Sequence, residues 1–291
     1  RRAIETRRLD LGDITTGMNE AAILDMVMAA LRSSNPRQVA YGLDLAASIS
    51  APALREPLAE LLEHPTRYVR RRALEVLGHQ SEALPPETLE ALYQRDEDID
   101  VRSEALSRLI DLNAASPREV ASLFDGDDTN QKVVALKALR LSHSPDLSTI
   151  LEDSRVRALR SLPSRVRAEL AHLLPLSPKP EHRATCLELV EEGPLAVRVA
   201  AVEGMGQSSD PEHLPFLVDA LSRRDLRGPA RTALARFGDA GASAVSPLLE
   251  DPTTPLQLRR AAIRVLAEVA SPNSVRRLID VSFRQPEPLV A

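Results

Sequence analysis

Apolar positions recur along this chain at helical spacing, and one phrase keeps returning. Its clearest copy is Val69-Arg70-Arg71-Arg72-Ala73-Leu74-Glu75-Val76-Leu77-Gly78. Val101-Arg102 leads to Ala105-Leu106 and Leu109, Val197-Arg198 to Ala201-Val202 and Met205-Gly206, and Leu258-Arg259 to Ala262-Ile263 and Leu266. Weaker copies surround Gly42-Leu43, Ala135-Leu136, Leu170-Ala171 and Ala233-Leu234. Successive small–large pairs lie about 30 residues apart, the period of a helical solenoid.

Each unit predicts two helices. In the best copy the first runs over about 53–63, with Leu54, Leu58, Leu61 and Leu62 on one face at the spacing of an amphipathic helix. His64-Pro65-Thr66 breaks it, the second helix runs to Leu77, and Gly78 is placed to supply a left-handed stop. Gly206 and Gly238 occupy the same place in later units. Ala73, Ala105, Ala135, Ala201, Ala233 and Ala262 share one position. A small residue there lets the two helices of a pair approach, and the large residue after it fills the gap. The units fall at about 20–48, 52–79, 86–112, 117–142, 146–175, 181–207, 211–238 and 242–270, with a half unit at about 272–284. Arg1 to Leu9 reads as a short preceding helix, with Asp10 to Asn19 as connector.

Two places break the pattern. Pro163 interrupts an Arg-rich stretch in the fifth unit, and Pro175, Pro178 and Pro180 follow. Proline lacks the amide donor and disfavours helix before it. The expectation is one array over 1–291 with a discontinuity at 175–180, giving sub-arrays 1–174 and 181–291. The half unit, with Val275, Leu278, Ile279 and Phe283, runs into Gln285-Pro286-Glu287-Pro288 without the polar cap a terminal unit needs. Together with an Arg1-Arg2-Ala3 opening that lacks Met, this reads as a piece of a longer protein.

The run from Leu61 to Leu74, with its Glu63-His64-Pro65-Thr66-Arg67-Tyr68-Val69-Arg70 centre, resembles the bacterial HEAT and HEAT-like repeats over about 20–284. That resemblance implies an all-α fold, a right-handed α-solenoid or superhelix of about eight HEAT-like helix pairs whose second helices line the concave side. It also implies acid–base ladders between adjacent units. HEAT-like units serve as scaffolds, chromophore lyases and DNA glycosylases, so the motif specifies the class and not the job. A narrower resemblance lies in Arg7-Arg8-Leu9-Asp10 and in the stretch from Leu31 to Leu45. It is similar to bacterial proteins in which a HEAT array follows an ATP/ADP translocase-like membrane part, sometimes with a cyclic-nucleotide-binding domain beyond. The chain would then be a cytosolic regulatory domain, with membrane tethering through a segment outside it.

Composition narrows this further. Hydrophobic residues make up 43% and can bury a continuous seam, whereas aromatics are 2% with no Trp, which fits poorly with sites that stack bases or sugars. Cys186 is the only cysteine, so no intrachain disulfide and no thiolate zinc site can form, compatible with a reducing cytoplasm. No stretch reaches the ~18 apolar residues of a membrane span. A net charge of −5 argues against a dedicated nucleic-acid binder.

Charge is segregated. The first helices carry acids such as Glu56, Glu60, Glu188, Glu191 and Glu250. We counted outward positions on the second helices two and six places into the phrase: Arg71 and Glu75, Ser103 and Ser107, Val133 and Lys137, Val199 and Glu203, Arg231 and Ala235, Arg260 and Arg264. Bases outnumber acids there. The candidate partner-binding residues are therefore Arg71, Lys137, Arg231, Arg260 and Arg264, facing an acidic protein segment, an adjacent domain of the same polypeptide, or an anionic lipid. The alternative is an ordinary solvated face. The recurrent cation after the break (Arg70, Arg102, Lys132, Arg198, Arg259) reads either as part of the structural ladder, with Asn35, Asp96, Glu192 and Asp225, or as a row gripping an anion. The six histidines form no i, i+4 pair, and Asp125-Gly126-Asp127-Asp128 lacks the later ligands of a calcium loop. No phosphate loop or Gly-x-Ser-x-Gly is present. The sequence thus predicts a non-catalytic interaction scaffold or regulatory module with no cofactor, and as alternatives the transporter-linked domain or a HEAT-fold enzyme.

Overall fold

A computed structural model describes residues 20–49, 51–78, 84–142 and 147–284. The expected helix at 1–9, its connector at 10–19 and the segment 285–288 lie outside the described residues. Every described element is helical. The chain is all-α and built as an α-solenoid. It groups into two compact units, 1–114 and 115–291.

The first unit holds three pairs: α1 (Glu20–Leu31) with α2 (Pro36–Ala46), α3 (Arg55–Glu60) with α4 (Arg67–Gly78), and α5 (Pro86–Arg95) with α6 (Ile99–Asp111). The second helices stack in order, α2 on α4 and α4 on α6. Their starts are chemically marked. Asn35 Oδ1 accepts from the Arg37 amide at 3.0 Å, and Asp98 Oδ1 from the Asp100 amide at 2.9 Å. Each satisfies an amide that the first turn leaves unpaired.

The second unit begins with α7 (Pro117–Ser122), closed by a capping box between Ser116 and Glu119, and α8 (Thr129–Leu141), capped by Asp128. The fifth pair is the irregular one. Two short helices, α9 (Leu147–Ile150) and α10 (Asp153–Arg160), precede α11 (Ser164–Leu173). Pro163 is the N-cap of α11, extended at φ −53° and ψ 154°, so it starts a helix where it was expected to distort one. Next come α12 (Pro180–Glu192) with α13 (Leu195–Ser208), α14 (Leu214–Ala220) with α15 (Arg227–Arg236), and α16 (Asp239–Val245) and α17 (Pro247–Glu250) with α18 (Leu256–Val269). Helix α19 (Pro272–Arg284) follows. The second helices α8, α11, α13, α15 and α18 stack consecutively. The proline segment 175–180 lies inside this unit, as a 3-10 turn over Leu174–Leu176 and the start of α12, and α11 packs on α13 across it.

The small–large register holds. Ala73, Ala105, Ala135, Ala201 and Ala262 are fully buried and Ala233 is 2% exposed, while Leu74, Leu106, Leu136, Val202 and Leu234 pack beside them. The glycines differ from expectation. Gly78 closes α4 and Gly206 lies inside α13, and neither has positive φ. The left-handed residues after α6, α13 and α18 are Asn113, Ser209 and Ala270, and of the three expected stops only Gly238 has positive φ, at 57°. Gly204 and Gly206 serve packing. A Cβ on Gly204 would collide with the His172 carbonyl of α11, and one on Gly206 would lie 2.6 Å from Ala233 of α15. Helix α13 is thus pressed against backbone on both flanks.

Candidate functional site

The recurrent cation near the start of six of the second helices is structural. Arg70 donates to the carbonyls of His64 (3.0 Å) and Pro65 (3.2 Å), at the end of its own first helix. Arg102 reaches Tyr93 O at 3.0 Å, Lys132 Phe124 O at 2.5 Å, Arg198 Val190 O at 3.0 Å, Arg227 Leu221 O at 2.8 Å and Arg259 Thr254 O at 2.9 Å. A helix C-terminus leaves carbonyls unpaired and carries partial negative charge, which a cation satisfies twice over. Three of these arginines also reach the next pair, Arg227 by donating to Gln257 Oε1 at 3.3 Å. Arg70 grips Asp96 in bidentate fashion at 2.7 and 2.8 Å, the carboxylate only 5% exposed, and Arg198 pairs with Asp225 at 2.8 Å. Asn35 is a helix cap. The row does not face outward to hold an anion.

The outward count is right in some units and wrong in others. Ser103, Ser107 and Val133 are buried. Arg71 pairs with Glu75 at 3.3 Å on α4 and with Asp100 of α6 at 3.8 Å. Arg72 reaches back to Asp44 of α2 at 3.0 Å. The face of the first unit is therefore closed by its own charges. In the second unit Lys137 lies 3.6 Å from Glu169, and Arg231 pairs with Glu268 at 2.7 Å. Arg260 and Arg264 are exposed on α18 and make no ion pair with a described residue.

Two buried histidines, His182 and His213, and the half-buried His172 lie in the second unit. His172, on α11, has its pKa pushed down to about 4 by burial and by Arg140, Arg236 and Lys137, against a hydrogen bond with Gln207. Its Nε2 is buried without a hydrogen-bond partner. His182 Nδ1 shares a 2.7 Å hydrogen bond with Ser177, and His213 bonds the Pro175 backbone, so both pin the proline segment. Burial lowers both pKa values. Cys186 is enclosed, and burial pushes its thiol up to about 12, the reverse of an activated nucleophile. Among the described residues no group of three His, Cys, Asp or Glu side chains is placed to hold a metal. Among them, too, no helix is long and apolar enough to cross a membrane.

The architecture defines a class, the α-solenoids of stacked helix pairs. Residues 24–110 match the family model described as HEAT repeats, and the described residues as a whole form an α-solenoid of stacked helix pairs. It is similar to human deoxyhypusine hydroxylase in complex with glycerol at 15% identity and a TM-score of 0.36, over 96% of this chain and 94% of that one. It is similar to a Kap121p mutant at 10% identity and a TM-score of 0.32, over 93% of this chain and 36% of that one. A designed armadillo repeat protein shares 14% identity at a TM-score of 0.23, over 84% of this chain and 98% of that one. No curated protein matches the chain. At such identities no chemistry passes from these proteins to this one.

Proposed function

We propose that the chain is a non-catalytic protein-interaction module, a scaffold or regulatory array, whose partner lies along the exposed edges of the second helices. The observation that supports this is the consecutive stacking of α8, α11, α13, α15 and α18, which brings charged side chains of five helices onto neighbouring positions. Contacts spread over such a row give affinity without a deep cavity. Lys137, Arg231, Arg260 and Arg264 are the candidate contacts of this unit, with Arg71 held in a closed ion-pair network of the other. The working compartment is the cytoplasm, either alone or as the soluble part of a membrane transporter, which a multi-span hydrophobic region encoded just upstream of Arg1 would establish.

A photo-crosslinking residue in place of Arg264, compared with one in place of Glu250 on α17, tests the reading in cells. Specific crosslinks to one polypeptide from position 264 are expected. Crosslinks from neither position, or turnover of a small substrate by the purified chain, would overturn it.

A further inference from the structure

The second helices of the second unit carry more cation than their carboxylates can satisfy, and the excess is placed in steps. Arg140 of α8 lies 3.9 Å from Glu169 of α11, beyond hydrogen-bond reach, and Lys137 sits 3.6 Å from the same carboxylate. Arg140 Nε is buried with no acceptor. One turn along α11, His172 also has an unpartnered buried nitrogen. A 350 Å³ cavity opens between α13 and α15, lined by Glu203, Gln207, Thr232 and Arg236. Arg236 is exposed at its edge and makes no ion pair with a described residue. On α18, the next helix in the row, Arg260 and Arg264 are likewise unmatched. Arg140, Arg236, Arg260 and Arg264 do not serve the carbonyl-capping role found at the start of α4, α6, α8, α13, α15 and α18.

We infer that this row is a docking surface for an extended acidic peptide segment, whose carboxylates take up Lys137 and Arg140, then Arg236, then Arg260 and Arg264. The inference rests on the reading of the chain as a protein-binding array and adds where the partner lies and what it is. The spacing supports a defined register. Packed helices lie about 8–10 Å apart. A polyproline II segment repeats every three residues at about 3.1 Å each, or about 9 Å, so every third side chain meets the next helix. Five helices leave four steps, about 36 Å, spanned by about twelve residues in that conformation. Glu169, Glu203 and Glu268 interrupt the basic row. They would repel a continuous phosphate backbone, yet they leave room for a peptide acidic only at intervals. The row also lacks the aromatic side chains on which single-stranded bases stack.

The test is fluorescence anisotropy on the full chain, with a labelled peptide of about twelve residues bearing glutamate at every third position. A lysine peptide of the same pattern, single-stranded oligothymidylate and anionic lipid vesicles are the competing probes. The glutamate peptide is expected to bind best, more weakly as salt rises, and to lose affinity at least about tenfold when Arg236 and Arg260 are both changed to Glu. Changing both to Gln should weaken binding less, with the helical circular dichroism unchanged. Arg37→Glu on α2 of the first unit should leave it unaltered. Absence of glutamate-peptide binding at low salt, equal loss from Arg37→Glu, or preference for the oligonucleotide or vesicles would each overturn the inference. A protein partner that binds the wild type and the double Glu variant alike would remove this surface while leaving the interaction-module reading intact.

Discussion

The two units solve the same packing problem with different chemistry. In the first, successive second helices are tied by ions: Asp44 to Arg72, Arg71 to Asp100, and the half-buried Arg70–Asp96 pair beside them. In the second, α13 is seated by glycine on both flanks, Gly204 against α11 and Gly206 against α15. Ion pairs consume the charge they use, so the first unit shows a neutralised face. Close backbone contact consumes none, and although Arg231 is paired with Glu268, the side chains of Arg236, Arg260 and Arg264 of the second unit stay on offer. How a helix is held thus decides what its surface can still do.

The sharpest way to break this comparison is Gly204→Val. The side chain must enter the backbone of α11, at a cost of about 3 kcal/mol or more, readable in denaturant unfolding. A change within about 0.5 kcal/mol would show that α13 does not rest on glycine. Ala105→Leu should overpack the third pair at roughly 1–3 kcal/mol. Next, Asp96→Ala leaves a largely buried guanidinium without its carboxylate and should cost about 1–3 kcal/mol, whereas Asp225→Ala, at a more exposed pair, should cost less than about 1 kcal/mol. Equal losses would mean that burial does not set the worth of these pairs.

Acid should separate the units by sign. His172, His182 and His213 have folded pKa values below their unfolded ones, so they are neutral in both states above about pH 6.5 and contribute no difference there. As pH falls below that value the unfolded chain binds protons that the fold refuses, and the second unit loses stability. For His172 this continues to about pH 4 and amounts to about 1–2 kcal/mol by pH 5. In the first unit burial raises the Glu104 pKa above its unfolded value, so acid relieves a penalty and adds stability there. Hydrogen exchange at pH 7 and pH 5 should show faster opening of 164–208 and no such acceleration in 99–111. Proteolysis between Leu174 and Arg183 under the same conditions tests the expected division at the prolines: early cleavage into two folded pieces supports it, and uniform resistance opposes it. The smallest effect is at Gly228, exposed near the start of α15 with open space around its Cα, where Ala should stabilise by about 0.5–1 kcal/mol.

Much of the architecture was legible because it is periodic. The shared alanine position, the pair boundaries and the break near 64–66 all follow from spacing and local breaker residues, which act within one helix. What escaped depends on neighbours. Gly206 reads as a stop by its place in the phrase, yet its use is against Ala233 in the next pair. Ser103 and Ser107 count as outward by their place in the phrase, but both are buried. The inward turn of Arg70, Arg102, Lys132, Arg198 and Arg259 carried a signal: each follows a helix end that needs a cation. Of the proposed surface, Lys137, Arg260 and Arg264 were visible by counting. Arg140 and Arg236 were not, because the count followed one position per turn and these lie on the neighbouring edge of the helix.

The link between each second-helix cation and the carbonyls of its own first helix bears on how this chain comes into being. Arg70, Arg102, Lys132, Arg198, Arg227 and Arg259 all bond backbone five to nine residues upstream. Closing loops that short takes about 10–100 ns, while a ribosome adds about 5–20 residues per second. Each of these six hairpins can therefore latch as it emerges, before the next exists. Synthesis lays the array down one closed pair at a time, and growing chains seldom trail a long apolar stretch open to aggregation.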